Sequence, residues 1–166
     1  ITGDKEILTS SGGRLFDAVG ALLGICPINH YEGQAAIELE AYASKKAGNY
    51  SYNIDCEENT WIMNPLPLWP ELLADMEQDL PAGEIAYKFH LTMVSMFTDA
   101  LQKVREESGL NRVVLSGGVF HNQILLIELL HSLQAAGFTA YHHQQVPPGD
   151  GGLSLGQAII ASEVIS

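Results

Sequence analysis

The sequence is poor in cysteine and in basic residues. Its two cysteines, Cys26 and Cys56, lie far apart and form no C-x-x-C pair, so neither a zinc knuckle nor a disulfide framework is predicted. Eight lysines and arginines stand against twenty aspartates and glutamates, a formal net charge of -12, and no basic run is present to follow a phosphate backbone. We therefore expect no nucleic acid partner, and a reducing cytoplasm is the expected location.

Long apolar runs are also missing. No stretch of about eighteen apolar residues occurs, and no basic segment followed by an apolar one opens the chain, so neither a membrane span nor a secretory leader is predicted. The apolar fraction of 46% is nevertheless enough for the core of one domain at this length. Residues 1–8 begin without a methionine, and we interpret the chain as a fragment of a longer protein.

Helical periodicity dominates what is present. Lys45 and Lys46 are expected in the last turn of one helix, where the helix dipole favours cations. His90 lies beside the methionine and phenylalanine stripe of the longest helix and is interpreted as a packing or surface histidine. Segments 50–54 and 60–63 are predicted to pair as a hairpin. The spacing of apolar residues predicts helices over 14–23, from 30–34 to a stop near Gly48, over 71–80 after a proline-rich connector, and over 83–108.

The later part of the chain alternates between strand and helix. A run of β-branched residues at 112–116 is followed by two glycines, a leucine-rich helical segment closed by Gly137, and a second short strand at 138–141. A strand, helix and strand of these lengths form a βαβ unit with parallel strands. We expect an α/β lobe dominated by helices, with a short mixed or parallel sheet and 112–116 as its central strand.

The turn at Gly117 and Gly118 is the first candidate binding site. Ligands of parallel sheets bind at the carboxyl ends of the strands, where these glycines lie. Glycine lets the backbone approach a ligand closely, and the N–H groups in the first turn of the next helix would face an anionic or polar ligand. The alternative is that the glycines only make a tight strand-to-helix connection.

Two aspartates carry a structural and a functional interpretation. Asp17 lies off the apolar stripe of the first helix, and the structural alternative is a solvated aspartate. Asp150 follows Pro147 and Pro148 and precedes another helical segment, so it is either a helix N-cap or a ligand.

Two other pairs are not expected to hold a metal. Cys26 and His30 are separated by Pro27, which argues against a shared helix face. His142 and His143 are adjacent on a predicted strand and would point to opposite faces, so they are interpreted as surface histidines.

Four motifs taken together resemble one family. In order they are T-S-S-G-G-R-L-F-D-A-V-G-A-L-L-G, Y-E-G-Q-A-A-I-E-L-E, L-S-G-G-V-F-H-N and V-P-P-G-D-G-G-L-S-L-G-Q-A, spread across nearly the whole chain. Their order and spacing resemble the carboxyl-terminal part of the HypF-type carbamoyltransferases of nickel-iron hydrogenase maturation. The resemblance implies the last lobe of a TsaD-like domain, which belongs to the actin, sugar-kinase and Hsp70 (ASKHA) superfamily of nucleotide-binding folds.

The resemblance also implies roles for individual residues. Asp17 matches an aspartate that accepts hydrogen bonds from ribose hydroxyls, and Gly33 matches a glycine where the start of a helix approaches the nucleoside. Gly117, Gly118 and Asn122 match residues around the phosphates or acyl phosphate of a bound adenylate.

The implied cofactors are ATP or carbamoyl adenylate and a divalent metal. Asp150 matches a metal-ligating aspartate, and a carboxylate is a hard oxygen ligand suited to an ion that bridges phosphates. The family's other metal ligands are histidines on the preceding lobe, and this chain departs from the family in having no H-x-x-x-H match.

The implied reaction moves a carbamoyl group from carbamoyl adenylate to the C-terminal cysteine thiol of HypE, and the product is later dehydrated to the cyanide ligand. Carbamoyl phosphate and ATP would enter through upstream domains. The attacking thiolate belongs to the partner protein, so no nucleophile is expected in this chain. An isolated chain is expected to form half of an active-site cleft, with little or no catalytic capacity.

Two alternatives stay open. The first is a noncatalytic nucleotide-binding or interaction module of the same fold. The second is a carbamoyltransferase that acts on another acceptor, either tRNA or a small-molecule hydroxyl, although the acidic charge of the chain disfavours tRNA.

Overall fold

The computed structural model describes residues 9–31 and 33–165, and side chains through Val164. Glu32 of the second motif and residues 1–8 lie outside the described residues. Short 3-10 turns, Gly118–His121 and Asp150–Gly152, precede the last two helices. In chain order the regular elements are α1 (Gly12–Leu22), α2 (Gln34–Tyr42), β1 (Asn53–Glu57), β2 (Thr60–Asn64), α3 (Leu68–Glu77), α4 (Ala82–Ser108), β3 (Arg112–Leu115), α5 (Gln123–Ala135), β4 (Thr139–His142) and α6 (Leu153–Ile165).

The core is built around α4. The apolar stripe of α4 is buried, and α2, α3, α5 and the β1–β2 hairpin all pack against this helix. Phe16 of α1 meets Phe89 of α4 edge to face, with ring centroids 5.0 Å apart. On α5, Leu125, Leu129 and Leu133 recur every four residues and are fully buried, as a single helical stripe requires. The predicted long helix and the helix-rich α/β character are confirmed.

Both predicted strand pairings are present, but the first strand of the hairpin is Asn53–Glu57 and not 50–54. Strands β1 and β2 pair antiparallel as a hairpin, and β3 and β4 pair parallel with α5 as the crossover. The expectation that β3 is a central strand is wrong for the described residues, because the parallel sheet there contains only β3 and β4. Val113 and Leu115 face the core, whereas Val114 is 70% exposed beside the exposed Tyr141 of β4.

Helix α2 is shorter than its sequence pattern predicts. It ends at Tyr42, so Lys45 and Lys46 lie beyond its last turn, and Lys46 instead contacts Glu84 at 2.8 Å. The cause is a tertiary contact: the backbone N–H of Ser44 donates to the carbonyl of Gly83 in α4, 2.9 Å away, rather than to a carbonyl of its own helix.

Helix α3 begins earlier than predicted, at Leu68, and ends at Glu77 rather than Leu80. The proline-rich connector does not prevent it, because Pro70 falls in the first turn, where a backbone N–H has no intrahelical partner.

Helix α6 is apolar but packs against little of the described chain. Ile160 is 67% exposed, and all described side chains from Leu153 to Val164 are exposed. Among the helices of residues 9–31 and 33–165, none combines the length and apolar character needed to cross a membrane.

Candidate functional site

A cleft of about 950 Å³ opens where several elements converge. Its walls are the start of α1, the loop before α2, one face of α2, the 3-10 turn after β3 and the loop before α6. Five of the six site residues predicted from the sequence line it: Asp17, Gly33, Gly118, Asn122 and Asp150. The fold thus brings together residues that are far apart along the chain.

Asp17 is held from two sides at the edge of this cleft. One carboxylate oxygen accepts a hydrogen bond from Arg14 at 3.0 Å, and the other accepts one from the Asn29 amide at 3.2 Å. The Asn29 side chain is itself fixed, because its oxygen accepts from the backbone N–H of Ala35 at 3.0 Å. Asp17 is therefore an oriented acceptor and not a freely solvated aspartate.

Gly33 begins α2 in the left-handed region, with φ of 77°, a conformation that favours glycine. A Cβ added there would meet no atom within 4 Å among the described residues, so the wall of the cleft is open at this point. The position of Gly33 leaves room for a ligand to approach the backbone.

The glycine turn after β3 packs directly against the loop before α6. The N–H of Gly117 donates to the carbonyl of Pro148 at 2.8 Å, and a Cβ added to Gly149 would lie 3.5 Å from the Cα of Gly118. Gly117 has φ of 114° and does not line the cleft, whereas Gly118 does. Of the two predicted glycines, one shapes the turn and the other faces the cleft.

The expectation that the first turn of α5 offers free N–H groups to a ligand is wrong for two of its residues. The Asn122 side-chain oxygen accepts from the N–H of Leu125 at 2.9 Å, and a Glu40 carboxylate oxygen accepts from the N–H of Gln123 at 2.9 Å. An aspartate, asparagine or glutamate oxygen at a helix N-terminus satisfies N–H groups that would otherwise bind an anion.

A buried histidine supports Asn122 from behind. The amide nitrogen of Asn122 lies 2.8 Å from Nε2 of His90 on α4, and Nδ1 of His90 lies 2.7 Å from the carbonyl oxygen of Ala86. The ring also contacts Phe16 and Phe89 edge to face. Burial lowers the pKa of His90, although its bond to Ala86 acts in the opposite direction.

Asp150 lies in the 3-10 turn that leads into α6, exposed at the cleft. Its carboxylate makes no hydrogen bond to a helix N–H within the described residues, so the N-cap interpretation is wrong there. Nor do residues 9–31 and 33–165 contain a group of three or more histidine, cysteine, aspartate or glutamate side chains placed to hold a metal. The Asp150 carboxylate could supply one hard oxygen ligand of a divalent ion, but the described residues around it do not complete a metal site.

Cys26 and His30 are not partners. The thiol of Cys26 lies 3.5 Å from the side-chain oxygen of Asn29, while the backbone N–H of His30 donates to Gln34 at 2.7 Å.

The histidine pair differs from its prediction. Strand β4 ends at His142, so the alternation of strand faces does not extend to His143. Both are partly buried and border a second small cavity of about 90 Å³ together with His121, and Nε2 of His143 lies 3.1 Å from the Ser116 hydroxyl.

Several neighbours of the site are not among the residues predicted from the sequence. Arg14 was detectable, because a basic residue three positions before Asp17 on a helix lies beside it. Asn29, Glu40 and His90 carried no such signal, because each acts on a residue of another element.

The charge of the cleft is unbalanced. Among its described side chains, Asp17, Glu40 and Asp150 are carboxylates and Arg14 is the one guanidinium or ammonium group. Arg14 already contacts Asp17, so little positive charge is left to face an anionic ligand. A phosphate group in this cleft would need a cation beside it.

Comparison with known proteins identifies the family. A family model described as "Carbamoyltransferase, Kae1-like Domain, second subdomain" matches residues 2–157. A probable carbamoyltransferase HypF of Methanocaldococcus jannaschii is 32% identical over 152 residues, which are 92% of this chain and 20% of that protein. The chain belongs to the HypF carbamoyltransferase family. The carbamoyltransferase HypF of Rhodobacter capsulatus is similar as well, 35% identical over 161 residues that cover 96% of this chain and 20% of the relative.

Solved HypF structures have the same fold. One, a crystal structure of full-length HypF in the phosphate- and nucleotide-bound form, matches with a TM-score of 0.88 and 40% identity over 95% of this chain and 21% of its own. The HypF of T.kodakarensis matches with a TM-score of 0.78 and 30% identity over 94% of this chain and 20% of its own. The Kae1-like domain of HypF has the actin-like fold, so the predicted superfamily is confirmed. The chain spans about a fifth of the length of these relatives.

Proposed function

We propose that this chain is the nucleotide-facing lobe, residues 1–166, of a HypF-type carbamoyltransferase. In the complete enzyme the cleft would hold carbamoyl adenylate while its carbamoyl group moves to the C-terminal cysteine thiol of a HypE-type partner. ATP and carbamoyl phosphate would be supplied through upstream domains.

The observation that carries this proposal is the meeting of the Asp17, Gly118 and Asp150 motifs in one cleft of about 950 Å³. That volume is in the range of small-molecule and cofactor sites, roughly 300–1,000 Å³. Asp17 lies on one wall with both carboxylate oxygens oriented, as an acceptor for ribose hydroxyls must be. Gly118, Asn122 and Asp150 come from the turns after β3 and before α6, and the phosphate of an adenylate would lie beside them.

These residues would position the adenylate. Holding a reactive adenylate in one orientation toward an incoming thiolate reduces the entropic part of the barrier. Asp17 would fix the sugar, and the open backbone at Gly118 would let the phosphate lie close to the turn.

The negative charge of the cleft supports a divalent cation as cofactor. Asp150 would supply one oxygen ligand, and the remaining ligands would come from outside this chain. Bound beside the phosphate, such an ion would neutralise charge that develops on the leaving adenylate.

Two uncovered surfaces support the assignment as a lobe of a larger protein. The apolar side chains of α6 are exposed, and one face of the β3–β4 sheet exposes Val114 and Tyr141. Parallel sheets are ordinarily covered on both faces. Additional chain packed on these surfaces would remove their apolar area from water.

The binding part of the proposal can be tested by titrating AMP and ATP into the ¹⁵N-labelled chain. Weak binding is expected, because half a cleft desolvates little of the ligand. Shifts should map to Asp17, Gly33 and Gly118, whereas shifts confined to the 53–64 hairpin would refute the site.

Gly118→Ala tests the site in the same titration, and this variant should bind the nucleotides more weakly than the unaltered chain. A Cβ at Gly118 meets nothing within 4 Å among the described residues, so the fold should tolerate it while the methyl group enters the cleft. Gly156→Ala on α6 also finds open space but lies away from the cleft, and it should bind normally.

The acceptor is tested with the complete protein. Carbamoylation of a HypE-type peptide ending in cysteine, and its loss when the cysteine is replaced by serine, is the expected result. Transfer to tRNA or to a small hydroxyl instead would favour another acceptor. Nucleotide binding without any transfer would favour a noncatalytic module.

A further inference from the structure

A line of polar groups runs through the core from α4 to α5 and borders the cleft at Asn122. It begins at the carbonyl of Ala86, passes through the imidazole of His90 and the amide of Asn122, and ends at the N–H of Leu125. His90 is fully buried and Asn122 is 5% exposed. Asn122 borders the cleft, whereas His90 does not.

The two ends of this line fix the direction of every hydrogen bond in it. A carbonyl can only accept, so Nδ1 of His90 carries a proton and donates to Ala86, which leaves Nε2 of the neutral ring as an acceptor. A backbone N–H can only donate, so Oδ1 of Asn122 accepts from Leu125 and the amide NH₂ group faces His90. Flipping the Asn122 amide would place two donors against each other at Leu125 and two acceptors against each other at His90, and the other neutral tautomer of His90 would place two acceptors against each other at Ala86.

We propose that His90 is a positioning residue of the cleft, which holds the Asn122 amide so that its NH₂ group, and not its carbonyl oxygen, is available to a ligand. The inference rests on the proposed function, because it assumes that the cleft receives a ligand. An NH₂ group has two hydrogens, and His90 accepts one of them. The second donates to an acceptor oxygen of the ligand, such as a phosphate oxygen of a nucleoside monophosphate.

The packing around His90 allows a substitution that keeps an aromatic ring and removes only the hydrogen bonds of the imidazole. The His90 ring packs edge to face against Phe16 and Phe89, and the centroids of these rings lie 5.2 Å and 6.2 Å from its own. His90→Phe keeps an aromatic ring in this position and removes both hydrogen bonds. His90→Gln restores one donor and one acceptor on an amide. His131→Phe makes the same chemical change at an exposed residue of α5.

The experiment is NMR on the full 166-residue chain, with separate titrations of AMP and adenosine. The ring nitrogens of His90 should report a neutral imidazole protonated at Nδ1. His90→Phe should weaken AMP binding roughly tenfold, the effect of losing one hydrogen bond to a charged group, and leave adenosine binding unchanged. His90→Gln should recover part of the AMP affinity, and His131→Phe should bind as the unaltered chain does.

Three outcomes would each contradict one part of the proposal. Protonation of His90 at Nε2 overturns the proposed orientation of Asn122. Equal AMP affinity in the unaltered chain and in His90→Phe overturns the positioning role. Failure of the unaltered chain to bind either AMP or adenosine overturns the proposed function instead, and the ring nitrogens of His90 then still decide the orientation of Asn122.

Discussion

Asp17 and Asn122 are held in the cleft by different kinds of neighbour. The partners of Asp17, Arg14 and Asn29, are polar side chains near the protein surface, so the carboxylate is oriented but hydrated. Asn122 is fixed from inside the core by His90, where no water competes for the bond. We therefore expect substitutions around Asn122 to affect stability more than substitutions around Asp17.

Folding stability should decrease as the pH falls below about 6.5, the ordinary pKa of histidine. Burial lowers the pKa of His90, so in this range the unfolded chain binds a proton that the folded chain excludes. The free energy of unfolding should then fall by up to about 1.4 kcal/mol per pH unit, until the pH reaches the lowered pKa. Urea unfolding at several pH values between about 5 and 7.5 measures this slope.

His90→Phe removes the titrating group and should flatten that part of the pH profile. His131→Phe, at an exposed position, should leave the slope as it is. Identical slopes in all three proteins would show that His90 is not the group responsible.

Asp150→Asn should barely change the melting temperature, because the carboxylate is exposed and makes no hydrogen bond within the described residues. The free energy of unfolding should change by less than about 0.5 kcal/mol. If Asp150 is a metal ligand, as the proposed function requires, carbamoyl transfer by the complete enzyme should nevertheless fall by about two orders of magnitude or more. Metal content, product formation and melting temperature are measured together.

Glu163→Gln is the control for Asp150→Asn, because it removes an exposed carboxylate on α6 away from the cleft. Normal metal content and full activity in Asp150→Asn would remove Asp150 from the proposed site.

Among the elements, the contact of α4 with the end of α2 depends on one glycine. A Cβ added to Gly83 would lie 2.6 Å from the backbone oxygen of Tyr42 and 2.7 Å from the Ser44 hydroxyl. The backbone oxygen cannot rotate away, so the two elements would have to separate. The same approach allows the Ser44 N–H to bond to Gly83, which is why α2 ends where it does.

Gly83→Ala should therefore destabilise the fold by about 1–3 kcal/mol, as overpacking does. In an unobstructed helix the same change would stabilise by up to about 1 kcal/mol. Gly156→Ala in α6, where nothing lies within 4 Å among the described residues, is the matched control and should not lower the urea midpoint. An unchanged or higher midpoint for Gly83→Ala would contradict this close approach.

A second link between elements joins the segment before β1 to α3 and α4. The Tyr50 hydroxyl donates to Asp75 at 2.8 Å, and Lys88 contacts the same carboxylate oxygen at 2.9 Å. Burial would raise the pKa of Asp75, but these hydrogen bonds outweigh it and hold the pKa below its usual value. This link lies away from the cleft and stabilises the side of the lobe that carries the hairpin.

For the whole molecule, the main feature is apolar surface that the described chain does not cover. Ile160→Lys should leave the isolated chain as stable as before, within about 0.5 kcal/mol, because Ile160 is already exposed. It should reduce self-association, since a charge interrupts an exposed apolar patch. In the complete protein the same change should lower the melting temperature, because a lysine would be buried there.

Gln134→Lys, at an exposed polar position of α5, is the control and should have no effect in either protein. Melting curves and sedimentation velocity for both variants measure these effects. An Ile160→Lys complete protein with an unchanged melting temperature would show that α6 is not covered there.

Features that depend on neighbours in sequence could be predicted from the sequence. The sequence predicts the long helix within one residue of its start, and it also predicts the hairpin, the parallel βαβ unit and the glycine turn after β3, although the first hairpin strand begins three residues later than predicted. In each, apolar spacing or turn residues within one segment carry the information. The family is also recognisable from the sequence, because its four motifs occur together in a set order across most of the chain.

Tertiary structure alone decided the rest, because the deciding contacts join residues that are far apart in the chain. Helix α2 ends early through a bond to Gly83, and the first turn of α5 is occupied by Glu40 of α2. The role of His90 depends on the closeness of α4 and Asn122. Periodicity within a helix indicates which face is buried, but a hydrogen-bond partner on another element exists only once the chain has folded.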